Sequence, residues 1–291
     1  KYMFPRDKNL NNFKIVLDCA NGSNYKIAPM VLWELGADLT VIGNNPTGLN
    51  INAKCGSTDT RLLQKTVLKE KADLGIALDG DADRLIMVDE KGNEIDGDEI
   101  IALIAKDMKE RGTLKHDTVV VTQMSNLGFE NYMNGLGIKV IRSKVGDRYV
   151  TEEMWKGGYN LGGEQSGHIV LGDFSTTGDG LGASLMVLGI YSKYKEENKD
   201  LKFSDLMNVF KKVPQVLENI EFEKDQENPL EKEEVKSYLS KIEADIKGEG
   251  RILIRKSGTQ PLIRVMVEHS NKDKMNELVK DIVEKIKKNI K

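Results

Sequence analysis

Three aspartates stand at every second position in ALDGDADRL, residues 77–85: Asp79, Asp81 and Asp83. In extended or tightly turned backbone, side chains with this spacing can direct their carboxylates toward one point, and Gly80 eases the turn. Hard oxygen ligands in this number suit Mg²⁺ or Ca²⁺. We expect Mg²⁺, because it accepts a few carboxylates and completes its coordination with water or phosphate.

Two other interpretations of the aspartates stay open. A calcium EF-hand would use Asp79, Asp81, Asp83 and Glu90, but Arg84 occupies the position at which that loop needs glycine. Both flanks of the stretch have the pattern of strands, whereas an EF-hand needs helices. The second alternative is a solvated acidic turn that binds no ion.

A glycine-rich stretch, LGGEQSGHIVLGDF at 161–174, is the second candidate site. Glu164, Gln165, Ser166 and His168 offer hydrogen-bond donors and acceptors, and the neighbouring glycines let backbone approach a ligand closely. Clustered polar side chains on such a loop suit hydroxyl-rich ligands such as sugars. The alternative is a plain turn between strands, in which His168 makes a structural hydrogen bond.

The third candidate site is RKSGTQPLIR, residues 255–264. Successive backbone amides around Ser257, Gly258 and Thr259 can form a concave anion site, and Arg255 and Arg264 can each bind two oxygens. This pattern favours a phosphate site over a plain turn. The Walker-A pattern of nucleotide-binding P-loops is absent from the sequence.

A lysine, Lys144, precedes Val145 and Gly146 just before a helix predicted from Asp147. It is either an ordinary surface charge or a cation that the fold directs into a cleft. A divalent-metal site, a sugar-type loop and a phosphate loop together describe an enzyme that acts on a phosphosugar. Because each site falls in a different predicted domain, we expect the ligand in a cleft between domains.

The elements that must position these loops alternate between strands and helices. Strands are predicted at 13–18, 38–43, 74–79, 84–89, 118–123 and 138–143. Helices are predicted at 24–36, 59–71, 97–111, 127–136 and 147–156. Strands separated by helices of this length imply βαβ units and largely parallel sheets, which makes the fold class α/β.

The pattern of elements restarts once and then changes. We predict two successive domains of similar layout at 1–97 and 98–205, and a small α+β domain at 206–291. The last of these has helical patterns at 229–246 and 272–289. The polar region 195–215 contains Pro214 and is the best candidate for a hinge. The basic final helix is most simply a solvated face.

The composition of the chain argues against a nucleic-acid-binding or membrane-spanning protein. With 43 basic and 46 acidic residues, the chain lacks the basic excess typical of nucleic-acid binders. No apolar run is long enough for a membrane span, and no signal peptide opens the sequence. Cys19 and Cys55 lack CxxC spacing and indicate reduced cytosolic thiols. We therefore expect a cytoplasmic protein that binds neither nucleic acid nor membrane.

Several motifs together resemble the α-D-phosphohexomutase family, most closely its phosphoglucosamine branch. They are DCANG, GLNIN followed by CGSTD, DGDADR, MSNLGF, VGDRYVTEEM, LGGEQSGHIV, TTGDG and SGTQPLIRVMVE. The resemblance implies two three-layer α/β domains with mixed sheets followed by the small C-terminal domain, within a four-domain, heart-shaped enzyme. It also implies interconversion of glucosamine 6-phosphate and glucosamine 1-phosphate. In that reaction an active-site phosphoserine transfers its phosphoryl group through a 1,6-bisphosphate intermediate.

The family's roles carry over by motif onto numbered residues of this chain. Asp79, Asp81 and Asp83 would bind Mg²⁺, with Arg84 beside the phosphoserine and Lys144 near the transferring group. Sugar hydroxyls would be bound by Glu164, Ser166 and His168, and the non-reacting phosphate by Arg255, Ser257, Gly258, Thr259 and Arg264. The expected partners are a phosphosugar substrate and the bisphosphate, and the resemblance allows a homodimer of the full-length protein.

The chain also departs from the family pattern. Gln260 stands where the family usually has Glu, and Lys256 where it often has Pro or Ala. The family's phosphoserine motif, of the type Ser-x-Ser-His-Asn-Pro, does not occur in this sequence. We therefore expect a fragment without the nucleophile and without turnover of its own. The alternatives are a phosphomannomutase or phosphoglucomutase, and a non-catalytic phosphosugar-binding protein.

Overall fold

The computed structural model describes residues 2–221, 228–257 and 262–290. Contacts divide the chain into two compact units. Unit 1 comprises Lys1–Ser125 and Phe129–Phe210, and unit 2 comprises Asn126–Gly128 and Lys211–Lys291. Among the described residues, no helix has the length and apolarity that crossing a membrane requires.

The first sheet of unit 1 carries the aspartates. Its strands are β1 (Lys14–Asp18), β2 (Asp38–Ile42), β3 (Leu74–Leu78), β4 (Leu85–Asp89) and β5 (Glu94–Ile95), in the order β2-β1-β3-β4-β5. β1 pairs in parallel with β2 and β3, and β4 returns antiparallel to β3. β3 and β4 are buried along their whole length, as expected for continuous apolar runs in a sheet covered on both faces.

Two helices connect the parallel strands of this sheet. They are α1 (Ile27–Glu34) and α2 (Arg61–Glu70). α1 begins three residues later than predicted. Ala20 and Asn21 have left-handed φ angles of 54° and 50°, and a turn extends from there to the helix.

The second sheet of unit 1 carries the glycine-rich stretch and repeats the first plan. It contains β6 (Thr118–Thr122), β7 (Lys139–Ser143), β8 (Leu161–Gly163) and β9 (Ile169–Leu171), in the order β7-β6-β8-β9. β6 pairs in parallel with β7 and β8, and β9 returns antiparallel to β8. The helices of this part of the chain are α3 (Gly97–Glu110), α4 (Leu127–Gly135) and α5 (Asp147–Gly157), and the first two residues of α4 belong to unit 2.

Both sheets of unit 1 share one hydrophobic core. A single cluster of buried side chains includes Ile76 and Leu85 from the first sheet and Val119 and Ile169 from the second. α6 (Gly180–Glu197) contacts β3 and β4 of the first sheet and β9 of the second, and the short α7 (Phe203–Met207) follows it. The aspartates and the glycine-rich stretch are therefore positioned by one packed body.

Unit 2 has a core of its own. Its strands are β10 (Gln215–Glu221), β11 (Gly250–Lys256) and β12 (Leu262–His269). They form an antiparallel sheet in the order β10-β12-β11. Its helices are α8 (Glu233–Asp245) and α9 (Lys272–Lys288). α9 buries Met275, Val279, Ile282 and Ile286, the spacing of one helical face. Its lysines lie mainly among the exposed positions.

A buried carboxylate explains why Asn126–Gly128 belongs to unit 2. Glu268 on β12 is fully buried and accepts from Asn126 Nδ2 at 3.0 Å, from the Leu127 amide at 3.2 Å and from Arg251 Nε. Asn126 also exchanges hydrogen bonds with the backbone of Val213. Asn126 and Leu127 of the MSNLGF motif therefore have a structural role within unit 2.

These elements confirm the predicted α/β fold class and the restart of its pattern. The division into domains at 1–97, 98–205 and 206–291 stays a prediction. Within the expected hinge region, 195–215, the chain ends α6, forms α7 and passes from unit 1 to unit 2 after Phe210.

Candidate functional site

The aspartate loop, residues 79–84, connects β3 to β4. One oxygen from each of Asp79, Asp81 and Asp83 lies within 4.8 Å of the others. The Ala82 amide donates to the Asp79 carbonyl oxygen at 3.1 Å, and the Arg84 amide donates to Asp79 Oδ1 at 3.0 Å. These bonds close a tight turn that places the three carboxylates together, as the sequence predicts.

The packing of Asp79 affects its ionisation. Burial raises the pKa of Asp79 to about 6, and the neighbouring charges of Asp81 and Asp83 act in the same direction. The hydrogen bond from the Arg84 amide opposes this increase. A divalent cation would stabilise the ionised form of Asp79 beside the other two carboxylates, and carboxylate oxygens are the ligands that Mg²⁺ prefers. The donor set therefore fits Mg²⁺.

The glycine loop, residues 164–168, connects β8 to β9. Glu164 Oε1 accepts from the Gly146 amide at 3.0 Å, and Ser166 Oγ donates to Glu164 Oε2 at 3.4 Å. Gln165 Nε2 donates to Asp96 Oδ2 at 3.3 Å, which turns Gln165 toward the cap of α3. Glu164 and Ser166 thus lie together, and Gln165 is part of the supporting structure.

The glycines of this stretch are explained by contacts within the chain. A Cβ on Gly167 would lie 2.2 Å from the Leu85 carbonyl oxygen, and Gly167 has a φ of 94°. A Cβ on Gly163 would lie 2.4 Å from the His168 carbonyl oxygen. The sequence predicted a close approach of backbone to ligand. The described contacts are instead between the glycine loop and its neighbouring strands.

Hydrogen bonds join the two loops. The Leu85 amide donates to the Gly167 carbonyl oxygen at 3.0 Å, and Arg84 and His168 form an antiparallel bridge. His168 Nδ1 lies 3.0 Å from Asp83 Oδ2, while His168 Nε2 accepts from the Gly178 amide at 3.1 Å. A backbone amide can only donate, so Nε2 carries no proton and Nδ1 donates to Asp83.

This tautomer gives His168 a different contact from the one that the resemblance implies. Both ring nitrogens are occupied and the residue is 1% exposed, so neither nitrogen is left for a sugar hydroxyl. His168 instead fixes the orientation of Asp83. The TTGDG motif supports the same region, because the Gly178 amide donates to His168 and the Gly180 amide donates to the Ala82 carbonyl oxygen.

Residues of both loops line a cavity of about 740 Å³. Its lining includes Asp83 and Arg84 from the aspartate loop and Glu164, Ser166 and His168 from the glycine loop. The volume is within the range of ligand sites, roughly 300 to 1,000 Å³. This cavity of unit 1 is therefore a concave site with carboxylate, guanidinium and hydroxyl groups.

Lys144 is not among the residues that line this cavity within the described part of the chain, although Val145 and Gly146 are. Its ammonium lies 5.7 Å from the ring centroid of Tyr149. In this conformation the lysine makes a cation–π contact and does not reach the aspartate loop's cavity. Its expected position near a transferring group stays a prediction.

In unit 2, the two arginines of the phosphate loop, residues 255–264, face each other. Arg255 on β11 pairs directly with Arg264 on β12, and the Ser257 amide donates to the Leu262 carbonyl oxygen at 2.8 Å. Burial, followed by the charge of Arg264, lowers the pKa of Arg255. Like charges directly opposite on a sheet repel, and a bound anion would relieve this. Gly258, Thr259 and Gln260 lie outside the described residues.

Sequence reasoning missed one wall of the cavity. Ser57 and Thr58, from CGSTD, and Glu94 and Asp96 also line it. The available signal was a glycine followed by two hydroxyl residues just before a helix, in a motif that had no assigned role.

Models of three successive domains of one family match the chain. They are the phosphoglucomutase/phosphomannomutase alpha/beta/alpha domain II at residues 3–92, domain III at 96–213 and the C-terminal domain at 190–285. The chain belongs to the phosphoglucomutase/phosphomannomutase family. This confirms the resemblance that the motifs carry.

Curated relatives in this phosphoglucomutase/phosphomannomutase family are about half identical to the chain. The phosphoglucosamine mutase of Zymomonas mobilis is 52% identical over 288 residues, covering 99% of this chain and 63% of the relative. That of Parvibaculum lavamentivorans is 49% identical over 289 residues, with the same coverages. The chain thus spans less than two thirds of the length of these relatives.

Solved structures in the family share the fold at low identity. A phosphoglucomutase/phosphomannomutase family protein from Burkholderia thailandensis superposes with a TM-score of 0.75 at 21% identity, covering 97% of this chain and 62% of its own. Aspergillus fumigatus N-acetylphosphoglucosamine mutase, in complex with GlcNAc-6P and magnesium, gives 0.75 at 18% identity, with 98% and 63% coverage. These similarities support the fold alone.

Proposed function

We propose that this chain carries the metal, sugar and distal-phosphate sites of a phosphoglucosamine mutase. That enzyme interconverts glucosamine 6-phosphate and glucosamine 1-phosphate by phosphoryl transfer through a bisphosphate. The observation that carries the proposal is the Asp83–His168 hydrogen bond, which holds the aspartate loop and the glycine loop on one cavity. The choice of glucosamine is supported by the names of relatives about half identical to this chain.

In the proposed site, Asp79, Asp81 and Asp83 hold Mg²⁺. When bound, the ion neutralises negative charge on the phosphoryl group during transfer. Arg84 and Asp83 line the cavity, whose described lining does not include Asp79 or Asp81, and Arg84 there binds phosphate oxygens. His168 keeps Asp83 oriented by donating from Nδ1, a common way to fix a metal-binding carboxylate.

The sugar is proposed to bind through Glu164 and Ser166. Each oxygen of Glu164 already accepts one hydrogen bond, from the Gly146 amide or from Ser166. A carboxylate has about four acceptor positions, so Glu164 can also accept from sugar hydroxyls. Lys144 reaches the transferring group only if its flexible stem turns away from Tyr149.

The non-reacting phosphate is proposed to bind to the phosphate loop of unit 2. Arg255 and Arg264 supply paired guanidinium donors, and Ser257, Gly258 and Thr259 supply amides and hydroxyls. The cross-strand pairing of the two arginines supports this role, because an anion between them relieves their repulsion.

Calorimetric titration of the purified chain with glucosamine 6-phosphate in Mg²⁺ tests the proposal. We expect binding, and we expect the Arg255→Ala/Arg264→Ala variant to lose at least about tenfold in affinity through its missing charge-assisted hydrogen bonds. Lys280→Ala removes an exposed charge from the same unit and should bind like the parent. Equal affinity of the arginine variant and the parent would contradict the phosphate assignment.

Two further measurements separate the alternatives. Tighter binding of mannose 6-phosphate or glucose 6-phosphate would overturn the glucosamine assignment and leave the family intact. In a coupled mutase assay with Mg²⁺ and a bisphosphate activator, the 291-residue chain should show no turnover, because it has no Ser-His-Asn-Pro stretch. Clear turnover by the pure chain would contradict the phosphoserine mechanism.

A further inference from the structure

Two buried polar atoms of unit 1, Ser57 Oγ and Arg84 Nε, make no hydrogen bond to any described residue. Buried polar groups in proteins are nearly always paired, so each such atom needs an explanation. Both atoms belong to residues that line the same cavity. A ligand that accepts hydrogen bonds from both would explain them together.

The position of Ser57 is fixed by its backbone. The Ser57 amide donates to the carbonyl oxygen of Leu78 at 2.9 Å, and Leu78 is the last residue before Asp79. The Gly56 amide donates to Asp18 Oδ2 at 2.8 Å, and a Cβ on Gly56 would lie 2.8 Å from the Leu78 carbonyl oxygen. Ser57 is therefore held beside the start of the aspartate loop.

Nearby carboxylates are engaged elsewhere. Glu94 Oε2 accepts from Thr60 Oγ1 at 2.5 Å, and Asp96 Oδ1 accepts from the Asp98 and Glu99 amides at the start of α3. Arg84 Nε is 3.9 Å from Asp83 Oδ1, which is too long for a hydrogen bond. Among the described residues, the Ser57 hydroxyl and the Arg84 Nε–H thus have no acceptor in the protein.

Two donors on residues that line one cavity, one of them cationic, select an anionic acceptor. A guanidinium has no acceptor atom and cannot bind a metal ion, and a neutral sugar hydroxyl gains less from a charged donor than a phosphate oxygen does. The nearby carboxylates would repel phosphate unless a divalent cation neutralised them, which is the charge that the aspartate loop is suited to bind.

We propose that Ser57 is a further binding residue of the transfer site, and that its hydroxyl donates to the same phosphate group as Arg84. The inference rests on the proposed function and deepens it. It assigns to the CGSTD motif the recognition of the phosphate next to the metal. It is independent of the phosphate loop of unit 2.

The test uses the full chain with Arg255→Ala and Arg264→Ala as the parent, so that unit 2 does not contribute to phosphate binding. Inorganic phosphate is titrated in the presence of Mg²⁺. Adding Ser57→Ala should weaken phosphate binding about tenfold, the usual effect of losing a hydrogen bond to a charged group. Ser57→Thr keeps the hydroxyl and should stay within about threefold of the parent. Ser23→Ala removes an exposed hydroxyl and is the matched control.

Thermal unfolding without ligand gives a second readout. Removal of an unpaired buried hydroxyl should leave the ligand-free Tm of Ser57→Ala equal to or above that of its parent. Its Tm increase with phosphate and Mg²⁺ should be smaller than that of the parent. A lower ligand-free Tm with an unchanged phosphate response would show a purely structural serine and overturn the inference.

The remaining outcomes separate this inference from the proposed function. Equal phosphate affinity of Ser57→Ala and its parent overturns the inference and leaves the proposed function intact. Absence of phosphate binding by the parent also overturns it, because the two donors would then hold no anion. If Ser57→Ala weakens phosphate binding while the unmodified chain does not bind glucosamine 6-phosphate, the phosphate site stands and the proposed substrate is wrong. Weaker binding of free glucosamine by Ser57→Ala, with phosphate unchanged, would assign the hydroxyl to the sugar and overturn the inference.

Discussion

The aspartate loop and the glycine loop occupy equivalent places in two similar sheets. Each connects an inner strand, parallel to its neighbour, to an antiparallel return strand: β3 to β4 in the first sheet and β8 to β9 in the second. All four strands are fully buried. The strands are therefore similar supports, and the chemistry differs because the loops differ.

The two loops also differ in how their carboxylates are satisfied. Glu164 in the glycine loop accepts from the Gly146 amide and from Ser166. In the aspartate loop, burial and two neighbouring carboxylates raise the pKa of Asp79. Both oxygens of Glu164 thus accept hydrogen bonds from within the protein, whereas the aspartate loop holds grouped carboxylates that a divalent cation would stabilise.

Gly167→Ala should have the largest effect, because it breaks the junction between the loops. The substitution places a Cβ 2.2 Å from the Leu85 carbonyl oxygen at a φ of 94°. We expect the free energy of unfolding to fall by more than about 4 kcal/mol in urea titrations. The matched control is Gly48→Ala, with a φ of 85° and open space, which should cost only about 1 kcal/mol. Equal losses would mean that the contact with Leu85 is unimportant.

His168→Phe should come next. It removes the donor to Asp83 and leaves the buried Gly178 amide without its acceptor. The expected loss is about 2 to 3 kcal/mol of unfolding free energy, with about tenfold weaker Mg²⁺ binding in calorimetry. His116→Phe, at an exposed histidine, is the control. Unchanged Mg²⁺ affinity in His168→Phe would show that the contact between His168 and Asp83 does not affect Mg²⁺ binding.

Asp79→Asn tests whether ionisation of Asp79 destabilises the aspartate loop. The folded pKa of Asp79, about 6, lies above its ordinary value of 3.8, so its contribution to stability is present below about pH 4 and is lost as pH rises through 6. In EDTA, we expect this contribution, on the order of 1 kcal/mol after allowing for partial screening, to disappear between pH 4 and 7. The asparagine variant keeps the acceptor for the Arg84 amide and should lack this slope. If the unfolding free energy of the parent chain in EDTA does not fall between pH 4 and 7, the raised pKa of Asp79 is contradicted.

Glu164→Gln should have the smallest effect on stability. The amide keeps an oxygen acceptor for the Gly146 amide, so the unfolding free energy should change by less than about 0.5 kcal/mol. Affinity for glucosamine 6-phosphate should fall about tenfold, because charged acceptors bind hydroxyls more strongly. Mg²⁺ affinity should stay constant in the same titrations. A change in Mg²⁺ affinity instead would place Glu164 with the metal.

The sequence predicted the strands that carry the site better than the contacts between side chains within it. Runs such as LGIAL and RLIMVD identify β3 and β4 and hence the position of the aspartate loop. α6 was not predicted, since it is buried along most of its length and lacks one apolar stripe. The Asp83–His168 contact joins residues 85 positions apart, and no local pattern encodes such a pair. That the Ser57 hydroxyl has no partner among the described residues can be seen only in the folded structure.

The central claim is that the aspartate loop and the glycine loop form one site. Calorimetric titration of the chain with glucosamine 1,6-bisphosphate, with and without Mg²⁺, tests it most directly. The account predicts that Mg²⁺ raises the affinity for the bisphosphate at least about fivefold, and that His168→Phe removes this coupling. An affinity that is the same with and without Mg²⁺ in the parent chain would contradict it.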